Sequence, residues 1–342
     1  MVIRIKNAGL LSSIQDFGRI GFKKFGMPTA GVMDKFAYVV SQFLVQNDEF
    51  DGVIETTIVG VEIEFFEDMI ICVTGAQNEL FINGDKKELW KAHLVNQGDV
   101  LLLKNATNGA RNYIAFSKKM SLKKINSSLS TYLKSNIGGF HGRALQNDDE
   151  IEFEQNYKIY KPINLPKNFI PLYKQKESIK VVLGPEKDAF SDKGIYTFLN
   201  STYNITQSCD RMGYRLSGEK IEHKNGADII SNAVFFGSIQ VPNSGEPIIL
   251  MADAQTTGGY TKIATILPSE LPKVGQLKGG DKISFVEVSN EEAQDIEIKY
   301  QKYIYELQQI LKKQISIYDI KVNGVSYNVV VEDKNSCKFQ KL

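Results

Sequence analysis

Cysteine and histidine are scarce in this 342-residue chain, three of each, and none stands at a metal-ligand spacing. Cys72 lies inside the apolar run Met69 to Val73, so a disulfide framework is excluded and buried or incidental thiols are expected. His93, His141 and His223 are isolated, which makes histidine chemistry a poor basis for function and leaves no metal site to expect. An excess of one charge is also missing. With 41 basic against 40 acidic residues the chain has no electrostatic footprint for nucleic acid or an anionic membrane. No stretch approaches the ~18 consecutive apolar residues of a membrane span, and the start Met-Val-Ile-Arg-Ile-Lys-Asn has no apolar segment like a signal peptide's. A cytoplasmic location is therefore expected. A Gly-Lys-Ser/Thr phosphate loop is absent as well, so any nucleotide site would be unorthodox.

What is present reads as mainly β. Short strands bounded by Gly, Asn and Asp recur at Met69 to Thr74, Glu79 to Ile82, Val100 to Leu103 and Tyr113 to Phe116. One helix interrupts the first half, where Asp34 is an N-cap candidate and Phe36, Ala37, Val40, Phe43 and Leu44 recur at helical spacing up to Asn47. Pro162, Pro166 and Pro171 disfavour a continuous ladder and mark an interdomain connection. The expected division is a β-domain over 1–160, a linker over 161–177, a second β-domain over 178–289 and an extension over 290–342. A weak echo links the halves, since Gly98-Asp99 precedes one apolar strand and Gly280-Asp281 another. Within the extension, Ile296, Tyr300, Tyr303, Ile304, Leu307, Ile310 and Leu311 form a stripe at helical spacing that predicts a docking helix. Ile317 to Val331 then reads as a two-stranded hairpin turning at Asn323-Gly324, which is marginal unless it pairs with something.

Three segments carry candidate chemistry. In the first, an apolar strand from Ile248 to Ala252 runs into Asp253, Gln255 and Thr257, which period-two alternation places on one face before Gly258-Gly259 turns the chain. Tyr260 and Lys262 share a face on the way back. A carboxylate, an amide, hydroxyls and an ammonium would then converge at one sheet end, with glycines that admit a ligand to the backbone; the bland alternative is a hairpin with a hydrophilic tip. The second segment, Gln15-Asp16-Phe17-Gly18-Arg19 through Gly26-Met27-Pro28-Thr29-Ala30-Gly31 to Asp34, feeds a helix N-terminus. Its amides and Arg19 suit a carboxylate or phosphate, unless Asp34 takes those amides as an ordinary cap. The third, Asp210-Arg211-Met212-Gly213-Tyr214-Arg215, holds two guanidiniums beside an aspartate, either an anion fork or a surface ion pair.

Taken in order, Gln15-Asp16-x-Gly18-Arg19-x-Gly21, Gly26-x-Pro28-x-x-Gly31-x-Met33-Asp34, Glu55-Thr56-Thr57, Thr74-Gly75-Ala76, Asp210 to Arg215 and Asp253 to Lys262 resemble the allophanate hydrolase subunit 2 family. That family includes the C-type component of 5-oxoprolinase and part of the urea carboxylase carboxyltransferase domain. The resemblance spans about residues 3 to 288. It implies two cyclophilin-like β-barrel domains with a few helices, besides the C-terminal helix and hairpin, and a companion of the allophanate hydrolase subunit 1 type, the B-type component in 5-oxoprolinase. Two departures stand out. Ser117 to Ser130 is Lys- and Ser-rich where the family usually carries a Gly-Gly turn, and the tail from about 290 lies outside the pattern. Part of that tail looks like the opening strands of biotin carrier domains, without their Ala-Met-Lys-Met attachment segment, so any biotin would come on another chain, a carrier subunit.

The function this implies is a hydrolase subunit acting with ATP on a small amide or lactam, as in the opening of 5-oxoproline to glutamate. Lys262 and Arg211 would stabilise the developing charge, Gln255 and Thr257 position the amide, Asp253 take a proton or orient Lys262, and Tyr260 donate to the substrate oxygen. Gln15, Asp16, Arg19, Asp34, Asp210, Arg215, Gly258 and Gly259 complete the expected binding set. Biotin-dependent carboxyl transfer to urea or a related amide is the alternative; a non-catalytic regulator of a sensor kinase is the other.

Overall fold

The computed structural model describes residues 2–47, 50–154 and 162–314, together with the backbone of 316–322 and 325–331. Alternation organises the first half. In Val2–Asn7 and Glu62–Phe65, Ile3, Ile5, Ile63 and Phe65 point inward while Arg4, Lys6, Glu62 and Glu64 face outward. These strands belong to a six-stranded sheet in the order Glu150–Glu152, Val2–Asn7, Glu62–Phe65, Val100–Leu103, Leu80–Ile82 and Asp85–Lys87. A second, five-stranded sheet runs Ser12–Gln15, Val53–Thr57, Asn108–Phe116, Met69–Gln77 and Ala92–Val95. The two sheets enclose one core that includes Ile3, Ile63, Leu101, Ile14, Ile54, Val73 and Ile114.

The strand Met69–Gln77 is buried on both faces except at Gln77, because a helix covers its outer side. That helix, α1 (Lys35–Leu44), begins where expected: Asp34 is extended and its carboxylate accepts from Ala37 N at 2.9 Å. Phe36, Ala37, Val40 and Leu44 then pack on Ile70, Cys72 and Tyr113. Burial pushes the Cys72 thiol up, consistent with an inert core group.

Hydrogen bonding closes a barrel in the second half. Its seven strands run Lys176–Leu183, Lys262–Ile266, Ser238–Gln240, Ile248–Leu250, Gly213–Ser217, Tyr203–Cys209 and Lys282–Glu287. The ring is sealed by the pairing of Lys176–Leu183 with Lys282–Glu287, parallel where the other pairings are antiparallel. Ile179, Tyr203, Tyr214, Ile249 and Phe285 fill it. Helix α2 (Asp192–Asn200) packs outside, and the short α3 (Leu271–Gly275) meets α1 of the first half.

The proline-rich connection does more than tether. Ile163, Leu165 and Tyr173 enter the core beneath α1, and Tyr173 Oη donates to Asp34 Oδ2 at 2.7 Å. Helix α4 (Asn290–Lys312) starts with a Ser289/Glu292 capping box and lays Leu307 and Leu311 into the same core, with Tyr303 stacked on Phe36 at 6.2 Å. After it, Ser316–Val322 and Val325–Val331 pair as a two-stranded antiparallel sheet of their own; Asn323 and Gly324 lie outside the described residues, as does the start of the connection. Among the described residues no helix is long and apolar enough to cross a membrane.

Candidate functional site

A cleft of about 780 Å³ lies between the barrel and the turn Leu133–Ser135 of the first half. Asp210, Arg215, Gln255, Thr257, Gly258, Gly259 and Tyr260 line it, together with Lys134, Gln207 and Gln240. The structure thus brings half of the expected site residues into one concavity. Local geometry explains their placement. The strand ends at Leu250, and Asp253 N donates to Arg211 O at 2.8 Å while Ala254 N donates to Met251 O, so the chain turns at 251–254 rather than at Gly258-Gly259. Thr257–Tyr260 is a new strand, paired with Asp228–Ala233 in a mostly exposed ribbon. At Asp210, Oδ1 accepts from Met212 N and Gly213 N, which fixes the bend that starts Gly213–Ser217.

The turn at 251–254 separates Asp253 from the cleft. Its carboxylate is 3 % exposed and takes a bidentate fork from Arg211, Nε to Oδ2 at 3.0 Å and Nη2 to Oδ1 at 2.8 Å. Arg211 also binds Glu55 through Nη1 and donates to Gly31 O at 2.6 Å. Burial opposes the Arg211 charge, but Asp253 and Glu55 outweigh it and hold the guanidinium above its ordinary range. Burial raises the Asp253 pKa, with Arg211 pulling it back. Residues expected to act on substrate are therefore a buried tie between the halves. Neither Asp253 nor Lys262 faces the other: Lys262 Nζ sits 3.1 Å from Glu186 Oε1, an ion-pair separation without good hydrogen-bond geometry, at 6 % side-chain exposure.

The helix N-terminus that follows the Gly26–Gly31 loop is likewise occupied from within. Met33 N donates to Glu55 Oε2 and Asp34 N to Tyr113 Oη, so these amides are already taken. Asp34 holds Ala37 N, Tyr173 Oη and Gln276 Nε2; burial keeps its pKa raised against those bonds. Gln276 in turn accepts from Ala110 N and Arg111 N, and Arg111 donates to Tyr214 Oη and Gly275 O. Sequence reasoning did not single out Gln276 or Arg111, and it used Glu55 and Tyr214 only as parts of the family pattern.

Gln15, Asp16 and Arg19 meet the segment 128–142. Gln15 Nε2 donates to Ser13 Oγ and Thr131 O, while Asp16 accepts from Gly18 N, Ser128 Oγ, Leu129 N and Ser130 Oγ. Arg19 is fully buried and donates to Ser130 O through Nη2; its pKa is lowered by burial, opposed by Asp16 and Asp253. A Gly-Gly pair does occur here, at Gly138-Gly139 rather than in Ser117 to Ser130, and both glycines have positive φ. A Cβ at 138 would run into Arg19 Nη2 and Ser130 O. Gly138→Ala is accordingly expected to destabilise the fold by about 1–3 kcal/mol, from left-handed strain plus overpacking. Urea denaturation checks this, and an unchanged midpoint would show that the contact relaxes at no cost.

Comparison with known proteins agrees with this architecture. The family model for the carboxyltransferase domain, subdomain A and B, matches residues 25–287. The chain is 35% identical to the C-type component of 5-oxoprolinase from Haemophilus influenzae over 89% of its own length and 96% of the relative's. It is 31% identical to the Escherichia coli protein of the same name, over 90% and 97%. The crystal structure of K. lactis urea amidolyase superposes with a TM-score of 0.85 at 26% identity, covering 90% of this chain and 20% of that one. Two buried arginines, Arg211 and Arg111, tie the barrel to the two-sheet half, and the chain belongs to the carboxyltransferase domain family, subdomain A and B.

Proposed function

We propose that this chain is the C-type component of a cytoplasmic, heteromeric enzyme that uses ATP to open or hydrolyse a small lactam or amide, 5-oxoproline foremost, with the junction cleft as its substrate site. The observation that carries the reading is near end-to-end likeness to two proteins named as the C-type component of 5-oxoprolinase, whereas the likeness to urea amidolyase covers a fifth of that longer chain. Amide resonance makes the carbonyl a poor electrophile. Phosphoryl transfer from ATP to the carbonyl oxygen makes the carbon electrophilic; water adds there, the C–N bond breaks as the nitrogen takes a proton and leaves as the amine, and a second water hydrolyses the resulting acyl phosphate to carboxylate and phosphate. The cleft suits such a substrate: Gln255 and Thr257 offer an amide and a hydroxyl for positioning, and Tyr260 an O–H for the substrate oxygen. Arg211 and Asp253 serve as the buried frame behind it. A companion of the B type would complete the site.

Biotin-dependent carboxyl transfer is the second reading, favoured by the family's own description; its biotin would come on a carrier subunit. One purification separates the two. The chain isolated with its companions should hydrolyse ATP in response to 5-oxoproline with avidin present, and the chain alone should not. Turnover that requires bicarbonate and stops with avidin would sink the lactam reading in favour of carboxyl transfer.

A further inference from the structure

We infer that Arg215 and Lys134 form a carboxylate clamp across the cleft, so that it selects an anionic lactam or amide over a neutral one. This rests on the reading of the cleft as the substrate site. The two cations come from different halves: Arg215 from the barrel strand Gly213–Ser217, Lys134 from the turn Leu133–Ser135. Both are exposed, and neither side chain makes an ion pair or hydrogen bond among the described residues. Some surface cations are neutralised by carboxylates, Arg4 with Glu150, Lys86 and Lys104 with Glu79, Arg143 with Asp149; the two on the cleft are not, and what distinguishes them from other unpaired surface lysines is that they line one concavity. The carboxylate on the cleft wall, Asp210, already spends Oδ1 on two backbone amides.

Both positions are anchored from behind. Arg215 lies between Tyr214 and Leu216, which are buried in the barrel core, and its backbone pairs with Ile248. Lys134 rides a turn closed by the Tyr132–Ile137 bridge, with Asn136 in the left-handed conformation and the Tyr132 side chain buried. The remaining polar lining is neutral, with Gln207, Gln240, Gln255 and Tyr260 suited to an amide. A guanidinium fork and an ammonium lining one cleft match a substrate carboxylate and offer nothing specific to an uncharged molecule such as urea.

The test uses the complex assembled with its companions and two ligands sharing one ring: 5-oxoproline and the unsubstituted lactam pyrrolidinone. Calorimetric titration of the wild type at low salt should show at least about a tenfold preference for the carboxylate, shrinking as salt rises. Arg215→Gln and Lys134→Gln should each erase most of that preference with no change in melting temperature, and Arg215→Lys should restore part of it. Equal binding of the two ligands by the wild type, or a preference that survives both substitutions, overturns the clamp. Turnover is read separately. A complex that consumes ATP with 5-oxoproline while the variants keep their preference removes the clamp alone; a charge preference without ATP-coupled turnover removes the functional reading alone.

Discussion

Arg211→Met should lose about 3–5 kcal/mol of stability, the usual cost of removing one partner from a buried charge cluster. Methionine fills much of the space of the side chain and supplies none of its N–H groups. Glu55 and Asp253 would be left facing each other, both almost fully buried, and Gly31 O would lose its donor. The deficit should depend on pH with a definite sign. Burial already raises the Asp253 pKa and the Arg211 fork restrains it; without the fork the folded value rises further above the unfolded one of about 3.9. A group raised in the fold contributes stability below its unfolded pKa and loses that contribution as pH climbs through the folded value. The gap between variant and wild type should therefore widen from acid toward neutral pH in urea titrations. A loss below about 1 kcal/mol, or a gap that narrows over that range, would mean the two halves are held by apolar packing and the Arg111 and Gln276 bonds, with the Arg211 tie incidental.

Gln255→Leu and Tyr260→Phe should each lower turnover of the assembled complex by about 100-fold, the scale for deleting one donor that meets developing charge. Both side chains are exposed on the cleft, and Gln255 makes no hydrogen bond within the described residues. Their loss should leave stability within about 0.5 kcal/mol of wild type. The contrast with Arg211→Met is what makes the pair informative: cleft residues should change rate without stability, the buried tie stability first. Wild-type kinetics in both cleft variants would move the chemistry elsewhere, with the pair Lys262 and Glu186 the next place to look.

Local signals carried most of the fold. Asp34 capping α1, the stripe that became α4 and the strands between turn residues could all be read from neighbours within a few positions. The echo of Gly98-Asp99 in Gly280-Asp281 was also sound at this level: in both, aspartate Oδ2 accepts from the amide three residues back and opens a strand. The same turn recurs at Asp149, where Asp148 adopts the positive φ otherwise left to glycine, so the pattern there was invisible. The site was legible only in part. Gln255, Thr257 and Tyr260 were found because they crowd one segment. Alternation extrapolated beyond Leu250 wrongly set Asp253 beside them, since period two holds only while the strand lasts. Glu55 meets Arg211 from 156 positions away, and Lys134 reaches the cleft from the other half of the fold. No local periodicity reports such contacts.

The parallel seam of the barrel also bears on how the chain is made. During synthesis Lys176–Leu183 leaves the ribosome roughly a hundred residues before Lys282–Glu287, the strand that lies alongside it. In the interval its edge carries unpaired N–H and C=O groups, a template for wrong pairing within the nascent chain or between chains. Closing so long a loop is slow, and it is the step that seals the ring around Tyr203 and Phe285. A chain cut after 281 would keep Arg211, Asp253 and the cleft residues yet leave the ring open, so nascent chains of that length should be the ones that chaperones hold.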